Sequence, residues 1–247
     1  VVYGDGNFAG MAGTETTAAS KTVISDPTGY AQVSYTAGKI TGAHRIRVSS
    51  TLSPSIPEAH FSSLYVKSPT VSSIQKLGGS TTGVVKTMLA EKLMVKLVDP
   101  FGNPVSNKNI FFEAIEPIDN PGTFSTESSS ITVNSGADGT ASVAFTLGKK
   151  AIPHIVRVSV PDVVDLAPAI FTITATAAEA FKLANKSPIN FQGTAGQDTI
   201  KLQVEVTDRY DNPKANEAVT FQITHGGGRF IGKAENLFTD HEGLVSV

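Results

Sequence analysis

One pattern is written into this chain more than once, about 110 residues apart, and that periodicity constrains the fold more than any other feature. Asp99-Pro100-Phe101-Gly102-Asn103-Pro104 returns one period later as Asp208-Arg209-Tyr210-Asp211-Asn212-Pro213. Ala37-Gly38-Lys39, followed by His44-Arg45-Ile46-Arg47-Val48, returns at the same spacing as Leu147-Gly148-Lys149, followed by His154-Ile155-Val156-Arg157-Val158. Phe61 and Phe171 keep that spacing. A repeat of this length is the size of an independent domain. The chain therefore reads as copies of one domain, an organisation that argues against a single catalytic centre.

Within each copy the local pattern is alternation of period two, the mark of half-buried strands. Leu93, Val95 and Leu97 form the inward set of one strand, with Met94 and Lys96 between them; Leu202, Val204 and Val206 repeat it. Lys96 falls opposite Glu205 in the alignment, a charge reversal expected where the side chain meets water. Ile110-Phe112-Ala114 is matched by Val219-Phe221-Ile223. Ala141-Val143-Phe145 is matched by Ala31-Val33-Tyr35 and by Val245-Val247. Val156-Val158-Val160 matches Ile46-Val48-Ser50, and Phe171-Ile173-Ala175 matches Phe61 to Val66. Helical periodicity is absent; Thr87 to Lys92 has room for one turn. About seven strands per copy in ~110 residues predict a two-sheet sandwich, with a closed barrel the weaker alternative. The predicted fold class is all-β, with tandem antiparallel sandwiches.

The connections are chemically specified. Asp26-Pro27-Thr28-Gly29 and Asp99-Pro100-Phe101-Gly102 carry the preferences of a type I turn. Ala137-Asp138-Gly139 and Asp240-His241-Glu242-Gly243 occupy the place of the first of these. Aspartates in such turns accept their own backbone N–H groups. A dedicated calcium cage wants several oxygen ligands at close spacing, and the DxDxDG pattern is missing.

The aligned residues spell a pattern: an alternating strand, Asp-x-x-Gly/Asp-Asn-Pro, then Val-x-Phe or its like. Leu97-Val98-Asp99 through Phe112 and Val206-Thr207-Asp208 through Phe221 carry it. Gly122-Thr123-Phe124, Ala137-Asp138-Gly139-Thr140-Ala141 and Thr146-Leu147-Gly148 continue it. Gly6-Asn7-Phe8 and Asp26-Pro27-Thr28-Gly29-Tyr30-Ala31 match in the first copy, as do Gly228-Arg229-Phe230 and Thr239 to Gly243 in the third. Over essentially the whole chain this resembles the bacterial immunoglobulin-like domains of the intimin/invasin type (group 1). The resemblance implies tandem immunoglobulin-like sandwiches and a bacterial cell-surface or extracellular location. Asp211 departs from the pattern where Gly102 follows it, and Asp tolerates the left-handed backbone the turn needs. The alignment divides the chain into 1–66, the C-terminal part of a first domain; 67–177, a complete domain; and 178–247, the N-terminal part of a third. Half a sandwich exposes an apolar face and unpaired strand edges, so the chain is expected to be a segment of a longer repeat protein, unless neighbouring molecules complete its ends by strand exchange.

The composition excludes more chemistry than it supplies. The chain has no Cys, so thiol nucleophiles, thiolate metal sites and disulfides are ruled out. The net charge is −2, with Lys and Arg scattered along the strands, which argues against nucleic acid or anionic membranes as partners. No apolar run approaches the roughly 18 residues of a membrane helix. His44, His60, His154, His225 and His241 lack metal-ligand spacing, and the repeat equivalents His44 and His154 read as structural. Gly226-Gly227-Gly228 precedes a strand pattern, so it is a loop and no phosphate cradle. Glu113 and Glu116 sit at a strand end, Lys96 is a weak candidate for an isopeptide staple, and the sequon Asn185-Lys186-Ser187 is followed by Pro188. The expectation is no enzyme, no cofactor and no metal. The candidate contact residues are Phe101 and Tyr210, equivalent aromatics at a turn where one copy meets the next. The function expected is a stalk, spacer or filament-forming repeat, whose partners are neighbouring repeats of the same chain or of identical chains. The alternatives are a module binding carbohydrate or another host or surface ligand, and an accessory region of a secreted enzyme.

Overall fold

The structure, a computed structural model, describes residues 7–8, 20–50, 52–53, 55–68, 70–190, 192–232 and 237–247. Gly6, within a stretch aligned above, lies outside the described residues. Four strands precede the central copy: β1 (Asn7–Phe8), β2 (Tyr35–Thr36), β3 (Gly42–Val48) and β4 (Ala59–Val66). The central copy holds β5 (Ser73–Gly78), β6 (Thr82–Val84), β7 (Leu93–Val98), β8 (Asn109–Glu116), β9 (Thr123–Phe124), β10 (Ser130–Asn134), β11 (Thr140–Val143), β12 (Phe145–Thr146), β13 (Pro153–Ser159) and β14 (Ala169–Thr176). Then come β15 (Lys182–Asn185), β16 (Gln203–Thr207), β17 (Ala218–Val219), β18 (Leu237–Phe238) and β19 (Leu244–Ser246). Among the described residues there is no helix, hence none long and apolar enough to cross a membrane.

The central copy is an immunoglobulin-like sandwich. One sheet has the order β11-β7-β5 and the other β10-β8-β13-β14-β6. The inward residues of the two sheets close one core, in which Leu93, Val95, Leu97, Ile110, Phe112, Phe145, Val156 and Val158 are fully buried. Phe112, Phe124 and Phe145 form its aromatic centre, with ring centroids 6.3 and 5.1 Å apart along the series. Edge-to-face and tilted rings at such distances add to the burial of their area. Val95 is inward and Lys96 half-buried on the other face, as the alternation requires.

Ten strand segments stand where about seven strands were expected. Two sequence strands break as they pass between sheets. After Gly78 the first strand leaves β7, and β6 joins the opposite sheet beside β14 in a parallel pair. After Val143, β11 gives way to β12, which pairs with the extra two-residue strand β9. A hydrophobic pattern running through such a break does not reveal it.

Equivalent residues keep equivalent registers. Val156 pairs with Phe171 as Ile46 pairs with Phe61, and Phe124 with Phe145 as Phe8 with Tyr35. Val95 pairs with Ala141 as Val204 with Val245. The flanking copies nonetheless differ from expectation in three places. Ala31 and Val33 are exposed coil, with only Tyr35–Thr36 a strand. Phe221 and Ile223 are coil after a two-residue β17. Phe61 is 63% exposed, whereas Phe171 is 8% exposed. One cause covers all three. In the central copy β11 needs β7, β8 needs β13, and Phe171 is covered from the β5–β7 side, with the Lys76 Nζ 5.6 Å from its ring. Among the described residues no strand pairs with Ala31, Val33, Phe221 or Ile223, and Phe61 has no such cover. Gly228 to Phe230, matched above to β9, form no strand either.

Candidate functional site

The repeated Asp-x-x-x-Asn-Pro turn lies where copies meet, and it does more than turn the chain. At the second junction the Asp208 carboxylate is fully buried with four donors around it. Its Oδ1 accepts the N–H groups of Tyr210 (2.8 Å) and Asn212 (2.9 Å). Its Oδ2 accepts the N–H of Ala178 in the incoming linker (2.9 Å) and Asn212 Nδ2–H (2.9 Å). Asn212 then crosses to the preceding copy: Nδ2 donates to the Lys149 carbonyl (2.8 Å) and Oδ1 accepts from the Ala151 N–H (2.8 Å). Burial pushes the Asp208 carboxyl up, but the hydrogen bonds, led by Asn212, outweigh it and hold it below the usual carboxylate value.

The first junction repeats the arrangement. Asp99 Oδ1 accepts from the Phe101 and Asn103 N–H groups, and Oδ2 from Ser68 Oγ–H (2.9 Å) and Asn103 Nδ2–H (2.9 Å). Asn103 Nδ2 also donates to the Lys39 carbonyl of the preceding copy (2.6 Å). Asp99 is likewise held low: burial raises it, and the bonds from Asn103 and Ser68 prevail. Each Asp thus ties linker to turn, and each Asn ties turn to the copy before. The left-handed position before the Asn is Gly102 (φ 84°) in one junction and Asp211 (φ 63°) in the other.

The receiving loop is held in turn by the repeated histidine. His154 is fully buried and neutral: Nδ1–H donates to the Ile152 carbonyl (3.0 Å) and Nε2 accepts from the Gly148 N–H (3.0 Å). Burial pushes its pKa down. His44 accepts at Nδ1 from Tyr35 O–H (2.7 Å) and donates from Nε2 to the Ile40 carbonyl (2.9 Å). Both imidazoles brace the Gly-Lys loop whose Lys carbonyl meets the next copy's Asn. A Cβ on Gly148 would strike the Asn120 carbonyl and the His154 ring, so no larger residue fits there.

The remaining sequence candidates separate from this site. Asp26 and Asp138 accept from the N–H and O–H of Thr28 and Thr140. These bonds lower both carboxyls, the Thr28 hydroxyl acting most at Asp26 and the Thr140 N–H at Asp138. Asp240 accepts from the Glu242 and Leu244 N–H groups. Among the described residues no three His, Asp or Glu side chains gather as a metal site. Glu113 stands within β8, not at its end, and pairs with Arg157 across to β13. Tyr210 is half-buried against the central core. Phe101 is 53% exposed, with the Lys39 Nζ 5.7 Å from its ring centroid. The sequence points to these rings but not to Asn103, Asn212 or the bracing role of the histidines. The signal was available: Asn and Gly-Lys recur together at the same spacing.

No family model and no curated protein matches the chain. Solved structures overlap it partially. Bacterial invasin, described as an integrin-binding protein, is 18% identical with a TM-score of 0.34 over 70% of this chain and 32% of its own. A glycosyl hydrolase family 2 member from Bacteroides cellulosilyticus is 17% identical with a TM-score of 0.34 over 59% and 18%. Domains 4–9 of a surface layer protein are 13% identical with a TM-score of 0.31 over 94% and 38%. The chain spans about a third of the length of the invasin it overlaps. Likeness at this level assigns no activity.

Proposed function

We propose that the chain is a spacer: a run of immunoglobulin-like repeats of the intimin/invasin type, divided at 1–66, 67–177 and 178–247, within a bacterial cell-surface or extracellular protein. Its task is to hold whatever it carries at a fixed distance and direction, and it performs no catalysis. The observation that carries this reading is the junction clasp, present twice: each Asp carboxylate accepts from its turn, its Asn and the linker, and each Asn Nδ2 donates to the Lys carbonyl of the preceding copy. A linker left free would make each junction a hinge. A buried carboxylate that binds the linker, and an amide that binds the preceding copy, remove that freedom. Tyr210 adds apolar contact against the central core at the second turn, and the Lys39 ammonium lies near the Phe101 ring at the first.

Small-angle scattering of the chain tests the reading. A rod whose cross-section is one sandwich is expected, with loss of the rod shape when Asn103 and Asn212 are both changed to Ala. A flexible string of beads for the unaltered chain would contradict the spacer. The surface assignment is tested by antibodies to the chain, which should label intact producing cells without permeabilisation.

A further inference from the structure

What repeats in a tandem array belongs to the scaffold, so residues that break the repeat at a shared position are where a separate role is to be sought. The second junction has such a break. Phe181, Arg209 and Lys214 stand where the first junction has Ser72, Pro100 and Val105, each one period earlier. The strand register confirms the equivalence, since Ser73 pairs with Val98 as Lys182 pairs with Thr207. The three replacements line one open groove of roughly 600 Å³, together with Lys86, Glu179 and Tyr210.

The groove has a definite chemistry. Lys86, Arg209 and Lys214 line the groove with one carboxylate, Glu179, in a chain whose net charge is −2. Residues scattered in sequence are thereby gathered by the fold. Among the described residues no carboxylate lies within ion-pair distance of the three cations. Phe181 is 70% exposed, with the Arg209 guanidinium 5.6 Å from its ring centroid. The exposed ring beside a cation offers an apolar face on which a ligand can stack. The clasp fixes the floor, because Tyr210 N–H and the linker Ala178 N–H are both bound to Asp208.

We infer that this groove is a binding site for an acidic saccharide, a short stretch of uronic-acid chain. The C–H face of one sugar stacks on Phe181, and the carboxylates lie against Arg209, Lys214 and Lys86. The volume falls within the range of small-ligand sites. Its open form suits a chain that continues past both ends, and an aromatic platform beside cations favours a sugar over an acidic peptide. This site goes beyond the spacer reading and is independent of it.

The test titrates the chain with trigalacturonate, following amide shifts by NMR and heat by calorimetry, with neutral galactotriose and hexaglutamate as counter-probes. Saturable binding of trigalacturonate is expected, with shifts concentrated at Phe181, Arg209 and Lys214, weakened by salt and absent with galactotriose. The variant Phe181→Ser, Arg209→Pro, Lys214→Val installs residues the repeat already uses at these positions. It should weaken binding about tenfold or more while leaving the rod shape unchanged. If the triple variant melts early, Phe181→Ser alone, at an exposed ring, serves in its place. The proposal is overturned by no binding, by shifts spread over all surface lysines, by equal binding of hexaglutamate, or by binding that Phe181→Ser leaves intact.

Discussion

Replacing Asn212 with Ala removes three hydrogen bonds at once. Two cross the junction to Lys149 and Ala151, and the third supports the Asp208 carboxylate. A neutral bond contributes about 0.5–1.5 kcal/mol and one to a charge about 1.5–3 kcal/mol. Coupling within one network makes the sum an upper limit, so opening the clasp should become easier by about 2–4 kcal/mol. The Ala151 amide reports this directly, because its partner is the Asn212 side chain. Its hydrogen exchange should accelerate roughly 30- to 1,000-fold in the variant, since exchange follows local opening. Amides of β13 inside the central core, such as that of Val156, should keep their protection. An Ala151 amide that exchanges at the same rate in both proteins would mean that this bond does not exist in solution.

Asp208→Ala leaves four donors without their acceptor and should destabilise the third copy by about 2–4 kcal/mol, seen as an earlier urea transition. Thr207 Oγ1 is buried without a partner, and the central copy has Val98 at that place; Thr207→Val should stabilise by about 1 kcal/mol in the same assay. Stability should also fall in acid in two stages. His154 is neutral in the fold with its pKa pushed down, so its contribution is complete above the ordinary histidine value near 6.5 and declines as pH falls below it. Asp99 and Asp208 are held below the ordinary carboxylate value, so theirs is complete above about pH 4 and declines as pH falls through their lowered values. Melting curves between pH 8 and pH 3 check both, and His154→Gln should remove the first stage. Calcium followed by chelator should leave the melting temperature unchanged, because backbone N–H groups already occupy the turn aspartates; a rise abolished by Asp138→Ala would contradict this.

The repeat made much of the fold legible. Alternation at Leu93–Leu97 placed Val95 inward, and the Asp turns followed from the preference of Asp for its own backbone amides. Strand breaks at Gly78 and Val143 were illegible because an apolar pattern is indifferent to which sheet receives it. Ala31, Val33 and Ile223 read as strand from alternation alone, yet a strand requires a neighbour to pair with. The clasp was half-legible: Asp99 and Asp208 read as turn formers, while Asn103 and Asn212 find their partners in the preceding copy, beyond the reach of any local pattern. Thr207 beside Val98 shows that local rules also miss a buried hydroxyl.

If the Asp–Asn clasp fixes one copy against the next, the distance across the second junction takes one value. The chain contains no Cys, so two exposed positions on either side of the second junction, Ser142 and Glu242, can be replaced by Cys and spin-labelled without competition. Double electron–electron resonance then gives the distribution of distances across the junction. A single narrow distribution is predicted, broadening markedly when Asp208 and Asn212 are both changed to Ala. A broad distribution in the unaltered chain, or the same width with and without the clasp, would contradict the account.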